Sequence, residues 1–429
     1  MKNRSALTFL LSSNIVSGFA QGISVLAVPW YFADVLDQSS LFAVVYGLVT
    51  FLSLFWSLYA GTLIDRYSRK SLFLYANLIA GSLVALAAIY GFAYGAMPSW
   101  MILSVFGMTS LFFNIHYPAL YAFGQEITDP KDYGRINSLF EIQNQATKVF
   151  SGATAAVLIS GTVAYEAINV LGLNVELPFA IEAWDLHLIF AFDASTYFLA
   201  MLLISRIKYT PTEKKKVDRG RVLDRLQAGF RYFRKHPLVF KYGLFTHSLF
   251  AFVLVQILVV LPQYVNQWMS SGPDLFASGQ AYYAVGALTA GFAIRRIFSR
   301  TNNIASVIIL MLLAGSVFVY LSLGQVTLLF YTCLFLTGIT NAGTRIIRVT
   351  FLFNQIPNHV IGRTNSVFTV INLIVRSVLI GVFSLPYFMG GPTVRYAYLF
   401  GGLFVAASAI PLLIDYKNLR ALSIDSSGV

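Results

Sequence analysis

Long apolar stretches recur along the whole chain, and short polar connections separate them. Each stretch has about 20 or more residues, enough for a helix rising about 1.5 Å per residue to cross roughly 30 Å of hydrocarbon. We therefore expect an all-α membrane protein. The pattern predicts twelve spans, at approximately 6–33, 40–63, 71–95, 99–124, 137–160, 186–206, 240–266, 279–298, 303–323, 326–353, 364–389 and 393–415.

Positive charge is concentrated on one side of this arrangement. Basic residues gather in alternate connections, whereas the opposite connections are mainly acidic, with Arg395 as the exception. Loops rich in Lys and Arg stay in the cytoplasm, so both termini are predicted to be cytoplasmic. The first apolar run continues to about Phe32 without a small-residue cleavage site, which indicates a first span rather than a signal peptide.

The composition agrees with a lipid environment. The chain is 57% hydrophobic and 11% charged, which is more apolar than a soluble core of this size requires. The net charge of +12 comes from the cytoplasmic connections, so we expect no nucleic-acid partner. The lone Cys333 lies in an apolar run and excludes a disulfide framework, but it leaves the redox compartment open.

The longest charged stretch, 206–241, divides the chain into two halves. We predict an N-terminal six-helix half at 1–206, a linker at 207–238 and a C-terminal six-helix half at 239–429. Within the linker, apolar residues recur every three or four positions opposite arginines. This predicts an amphipathic helix on the cytoplasmic membrane surface; an ordinary charged linker is the alternative. The apolar positions are Val222, Leu223, Leu226, Phe230 and Phe233.

The start of span five is repeated 228 residues later at the start of span eleven. Such a repeat is typical of transporters with duplicated halves, whose substrate site lies near the middle of the membrane. The matching positions are Gly134 with Gly362, Arg135 with Arg363, Asn137 with Asn365, Ser138 with Ser366, Phe140 with Phe368, Asn144 with Asn372, and Lys148 with Arg376.

The decapeptide 61–70 resembles the loop between helices 2 and 3 of the major facilitator superfamily, with Ser68 where a glycine is usual. Residues 192–198 and 223–237 resemble the branch that contains macrolide-efflux proteins and the enterobactin exporter. The resemblance implies two pseudo-symmetric six-helix halves that rock against each other. Spans 1, 4, 7 and 10 would line a central cavity, and spans 3, 6, 9 and 12 would form a scaffold.

The same loop is interpreted as a conformational latch. Asp65 would dock at the N-terminus of span eleven, where the helix dipole favours a carboxylate by about 0.3–1 kcal/mol. Arg66 would reach an acid at the end of span four. The alternative is that these charges only set the topology. The predicted latch residues are Gly61, Asp65, Arg66, Arg69 and Glu126.

Two cations, Lys148 and Arg376, lie near the predicted middle of spans five and eleven, where a charge is costly unless it faces a cavity or a partner. We expect both to face the cavity and attract an anionic substrate. The alternative is that Glu141 neutralises Lys148 and that Arg376 bonds to carbonyls. Arg348 is expected to snorkel toward the cytoplasm. Further candidate substrate contacts are Arg345, Asn144, Asn372, Gln21, Ser24 and Gln256.

Three residues are candidates for coupling transport to protons. Glu141 is the cavity-side acid, and His116 titrates near neutrality when unperturbed. Asp193 lies in a scaffold span. As alternatives, His116 is a hydrogen-bonding packing residue and Asp193 anchors helix packing.

Taken together, the sequence predicts a secondary active transporter that exports amphipathic organic compounds, drug-like or siderophore-like and including anionic ones, by proton antiport. A lipid flippase and a non-transporting receptor are the alternatives. There is no phosphate-binding glycine loop, metal-site spacing or catalytic triad, so we expect neither an enzyme nor a cofactor nor a metal. The expected partners are a small-molecule substrate and membrane lipid, for a monomer in a bacterial inner membrane.

Overall fold

The computed structural model describes residues 4–129, 132–164, 167–170, 173–176, 178–208, 222–298 and 302–425. By its contacts the chain divides into two compact units. One is Met1–Asp218 with Gly272–Ala281, and the other is Arg219–Ser271 with Tyr282–Val429. The predicted linker helix belongs to the second unit.

The first unit is built from six long helices. A short antiparallel hairpin of β1 (Ala167–Val170) and β2 (Leu173–Glu176) follows the fifth of them. The apolar pattern did not predict this hairpin, because each strand has only four residues, too few for a distinct periodic signal. The helices are α1 (Arg4–Asp34), α2 (Ser39–Arg66), α3 (Arg69–Tyr94), α4 (Ser99–Glu126), α5 (Tyr133–Ser160) and α6 (Leu186–Ser205).

The second unit begins with the linker helix α7 (Val222–Lys235). The next helix, α8 (Pro237–Trp268), contains two π-helical turns on either side of Pro262. Proline lacks an N–H and crowds the preceding turn, which the wider π turns accommodate. The remaining helices are α9 (Pro273–Ile297), α10 (Asn303–Leu321), α11 (Thr327–Gln355), α12 (Asn358–Phe383), α13 (Pro386–Met389), α14 (Arg395–Ile414) and α15 (Tyr416–Asp425).

The all-α membrane architecture is confirmed. In the described part of the chain, nine helices are long and apolar enough to span a membrane. The other three predicted spans form α5, α9 and α11, with 28, 25 and 29 residues. Their lengths suffice for roughly 30 Å, but their polar side chains lower the hydropathy. The number twelve therefore stays a prediction.

Two glycines allow α9 and α11 to approach closely. A Cβ at Gly286 would collide with the carbonyl oxygen of Phe335, and one at Gly338 would collide with that of Tyr283. Small residues at such crossings let helices pack by van der Waals contact, which is the main attraction between helices in lipid. The polar helices α9 and α11 are therefore held together by backbone proximity.

We expect Gly286→Ala to destabilise the protein by about 1–3 kcal/mol, since the extra methyl group forces two backbones apart. Gly291→Ala is the matched control, because a Cβ at this position of the same helix meets nothing within 4 Å. Thermal unfolding in detergent should show a lower Tm for Gly286→Ala only. Equal Tm values for the two variants would contradict the proposed crossing.

Candidate functional site

A chain of polar side chains crosses three helices of the first unit. The ring of His116 on α4 meets Asn14 on α1, with Nε2 and Oδ1 separated by 2.9 Å. Asn14 in turn donates its amide Nδ2 to Oδ1 of Asn144 on α5, at 3.4 Å. In this orientation the amide oxygen of Asn14 accepts, which pairs it with an imidazole protonated on Nε2. Both asparagines are buried.

The three residues of this chain lie at similar depth. Asn14 is ten residues from the start of α1, His116 ten from the end of α4 and Asn144 eleven from the start of α5. At about 1.5 Å per residue, each lies roughly 15 Å into its helix, close to the middle of a 30 Å hydrocarbon layer. Sequence reasoning proposed His116 and Asn144 but missed Asn14, which joins them.

Other polar residues of α5 make shorter-range contacts. Gln143 donates Nε2 to the carbonyl oxygen of Leu11 on α1, at 3.2 Å. Gln145 donates to Oε1 of Glu141 one turn earlier, at 3.0 Å. Lys148 is exposed. The carboxylate of Glu141 is thus held in place by its own helix.

Ser24 and Asp193 face each other where α1 packs on α6. Both are buried, with exposed fractions of 7% and 2%. Their side chains lie close enough to interact. Neither the hydroxyl of Ser24 nor Oδ1 of Asp193, however, makes a hydrogen bond of normal geometry to another described residue. This placement suits either predicted role of Asp193, as a packing anchor or as a proton site. Gln21, one turn before Ser24, is half-buried.

In the second unit, Arg348 is buried rather than snorkelled, which corrects the expectation. Its side chain is 5% exposed and donates Nη1 to the carbonyl oxygen of Thr246 on α8, at 2.9 Å. From the depth of Arg348 along α11, we expected its side chain to extend to the cytoplasmic membrane surface. Packing of α11 against α8 instead turns the guanidinium inward. Arg345 and Arg376 are half-buried.

The predicted contacts Gln256 and Asn372 are both inside the second unit. Gln256 is fully buried and accepts a hydrogen bond from the hydroxyl of Tyr398 on α14, at 2.8 Å. This position favours a packing role for Gln256. Asn372 is buried, and its Nδ2 has no partner in the part of the chain that the structure describes.

The loop after α2 links helices within the first unit. Lys70 donates to the carbonyl oxygens of Ser205 and Ile207 at the end of α6, at 2.7 and 2.8 Å. Ser68, where the family has a glycine, caps α3 by accepting from the backbone N–H of Ser71. A cation at a helix C-terminus is favourable. The contact of Lys70 with α6 therefore explains part of the charge of this loop, and Ser68 begins α3; sequence reasoning assigned neither role.

The other latch residues are only partly described. Arg69 donates to the carbonyl oxygens of Ile64 and Tyr67, so it closes the end of α2. Glu126 is half-buried at the end of α4. The side chains of Asp65 and Arg66, like Gly61, lie outside the described residues. The latch stays a prediction.

We expect a double-mutant cycle to measure coupling between Asn14 and His116. The cycle consists of Asn14→Ala, His116→Ala and the double variant, with the free energy of unfolding determined in mixed micelles. Side-chain hydrogen bonds between membrane helices contribute about 0.6 kcal/mol on average and up to roughly 1.7 kcal/mol. Ser104 on α4 bonds within its own helix, so an Asn14/Ser104 cycle should give no coupling. If the Asn14/His116 cycle were as additive as the control cycle, the result would contradict the network.

Comparisons with known proteins complete this description. A family model described as Major Facilitator Superfamily matches residues 10–380. Macrolide efflux protein A of Streptococcus pyogenes is 23% identical over 239 residues, which cover 54% of this chain and 51% of that protein. The chain therefore spans about half the length of this relative.

Two solved structures have a similar fold. A bacterial homologue of the human lysosomal transporter Spinster, in an inward-facing and unoccupied conformation, has a TM-score of 0.68 and 13% identity over 99% of both chains. A bacterial homologue of the iron transporter ferroportin, in an inward-facing state, has a TM-score of 0.66 and 16% identity, covering 95% of this chain and 98% of that one. At these identities the likeness shows the fold alone.

Proposed function

Because this chain belongs to the Major Facilitator Superfamily, we propose that it is a secondary active transporter that exports amphipathic organic compounds by alternating access. Membership of a transporter family supports membrane transport of a small molecule rather than an enzymatic reaction. The similarity to an efflux protein supports the outward direction. We place the protein as a monomer in a bacterial inner membrane, with both termini in the cytoplasm.

The observation that carries the proposal is the Asn14, His116 and Asn144 chain at mid-membrane depth. Polar groups are costly in hydrocarbon, and intramembrane polar clusters generally mark substrate or ion pathways. Three helices contribute one residue each, so movement of α1 changes both hydrogen bonds, and movement of α4 or α5 changes one of them. Such a network responds to any rearrangement of helices within the first unit during transport.

Proton antiport is the proposed energy source. Glu141 is the proposed proton carrier, and His116 and Asp193 are the alternatives. A carboxylate in a membrane span couples transport to protons only if its proton affinity or its access to water differs between the two conformations. Glu141 lies on the same helix as Asn144, one turn before it on the cytoplasmic side, so proton release and rearrangement of the network can occur together.

Lipid translocation is a second candidate. The specific observation that favours it is the set of three intramembrane arginines in the second unit, Arg345, Arg348 and Arg376, which would suit a phosphate headgroup. In this version the acyl tails of the substrate remain in the bilayer while the headgroup crosses.

Counterflow in proteoliposomes tests the proposal directly. Vesicles loaded with anionic, neutral or cationic amphiphiles should take up the labelled compound against its gradient, and an imposed proton gradient should drive net export. Movement of fluorescent phospholipid without counterflow of free amphiphiles would support the flippase. Ligand binding without any flux would contradict transport and favour a receptor function.

A further inference from the structure

Buried polar side chains gather where α8 and α11 pack together in the second unit. Arg348 is 5% exposed, Thr344 is 2% exposed and Tyr242 is fully buried. The phenol of Tyr242 and the guanidinium of Arg348 are close enough to interact electrostatically. The ring of Tyr242 packs on Phe351, with 4.2 Å between centroids, which holds its hydroxyl beside α11. Thr344 and Arg348 are four residues apart and so share one helix face.

These groups have unused hydrogen-bonding capacity. The hydroxyls of Tyr242 and Thr344 have no partner among the residues that the structure describes. In the same part of the chain, the only hydrogen bond from Arg348 goes to the carbonyl of Thr246, although a guanidinium carries several donors in a planar fork. A buried polar group without a partner is destabilising, because it has lost its hydrogen bonds to water. Two such hydroxyls, beside a buried arginine with further donors, indicate a site whose partner is a ligand.

Acids that could balance the charge of this cluster are scarce in the surrounding sequence. Arg345 and His247 lie close enough to Arg348 to act on it electrostatically, so its neighbourhood is basic. Between residues 236 and 414 the sequence contains a single acid, Asp274. That residue is in the first turn of α9, in the segment that belongs to the first unit. Since buried charges are normally paired, Arg348 needs an anion from outside the spans of its own unit.

We propose that this cluster is an oxyanion site that binds the carboxylate or phosphate group of an amphipathic ligand. The fork of Arg348 matches two oxygens of such a group, and the hydroxyls of Tyr242 and Thr344 donate to the remaining lone pairs. The carbonyl of Thr246 orients the guanidinium. The inference deepens the proposed transport function, and it rests on that function for the assumption that the ligand is the transported compound.

Isothermal titration of the purified full-length chain in a neutral detergent tests the site. Octanoate is the probe, and octanamide is its uncharged match. We expect octanoate to bind at least about tenfold more tightly, since hydrogen bonds to charged groups contribute about 1.5–3 kcal/mol. Arg348→Gln should weaken octanoate binding about tenfold or more, and Tyr242→Phe by a smaller factor. Arg395→Gln removes an arginine that lies over the Trp268 ring, away from this cluster, and should keep the wild-type Kd.

Tyr242→Phe keeps the proposal falsifiable if Arg348→Gln fails to fold, because it removes a hydroxyl that has no partner in the described structure. Equal binding of octanoate and octanamide, or a wild-type Kd in Tyr242→Phe and Arg348→Gln, would overturn the site. Two further arms identify the source of the anion. Competition by inorganic phosphate indicates a free anion, and competition by phosphatidic acid alone in nanodiscs indicates a lipid headgroup; either supports the site.

The outcome is separable from that of the transport proposal. Octanoate binding that depends on Arg348, without counterflow of any amphiphile, would contradict transport and leave the oxyanion site standing. Counterflow of amphiphiles combined with charge-independent binding would overturn the site and leave transport standing.

Discussion

Glu141→Gln should abolish proton-driven accumulation of substrate while leaving counterflow in place. Glutamine keeps the size and the hydrogen-bonding capacity of the side chain, so the contact with Gln145 can persist. It cannot release or take up a proton, so the conformational cycle loses its link to the proton gradient. We expect net transport driven by an imposed gradient to fall by more than about tenfold, because intramembrane ionisable groups form the proton relays of such proteins and this one is removed.

The measurement compares two assays in the same proteoliposomes, gradient-driven export and counterflow without a gradient. Glu182→Gln is the matched control, because Glu182 is an exposed acid in the connection before α6. It should behave like the wild type in both assays. If Glu141→Gln retains gradient-driven export and Asp193→Asn loses it, the proton carrier is Asp193 and the assignment to Glu141 is wrong.

Gly229→Leu should release the linker helix α7 from its contact with α12 in the second unit. A Cβ at Gly229 would lie 2.6 Å from the carbonyl oxygen of Arg363 and 2.7 Å from the side chain of Val367, so a leucine cannot fit without moving α7 away from α12. Overpacking typically costs about 1–3 kcal/mol.

Displacement of α7 would also break two contacts beside Gly229. Phe233 is 3% exposed and packs on Phe368 of α12, with 4.8 Å between ring centroids. The hydroxyl of Tyr232 donates to the carbonyl oxygen of Gln355, at 3.1 Å. Phe368 also stacks on His247 of α8, at 5.1 Å. The linker helix therefore reaches, through one phenylalanine, the helix that carries Tyr242 and Thr246.

Limited trypsin digestion in detergent measures the release. Cleavage after Arg231 and Arg234 should be several-fold faster in Gly229→Leu, because an undocked helix opens locally more often. Counterflow should slow at the same time. Gln227→Leu, on the exposed face of the same helix, is the control and should match the wild type. Unchanged cleavage in Gly229→Leu would show that α7 is not held by this contact.

The linker helix also shows where a periodic pattern stops being informative. The pattern predicted one apolar face that included Phe230 and Phe233, lying on the membrane surface. In the structure Phe233 is buried by α12, whereas Phe230 is 48% exposed. Both residues fit a helical apolar stripe. A sequence pattern states that a face is apolar, but it does not state whether lipid or protein covers it.

The sequence by itself determined the class of the protein. Length and hydropathy of the apolar runs are local properties, and lipid demands helices because every backbone group must be satisfied within its own segment. The motif at 61–70 and the repeat between spans five and eleven could also be identified from the sequence, because both depend on residue spacing alone. The resemblance to the major facilitator superfamily and to macrolide-efflux proteins is confirmed.

The tertiary structure decided which polar residues meet. His116 and Asn144 were visible as polar positions in apolar helices, but only the packing of α1 between them revealed Asn14 as their link. Arg348 has the depth of a snorkelling residue in its own helix, and the neighbouring α8 buries it instead. Hydrogen bonds and burial depend on the rotation of one helix against another, which is set by side chains distant in sequence. Periodicity within one helix carries no information about that rotation.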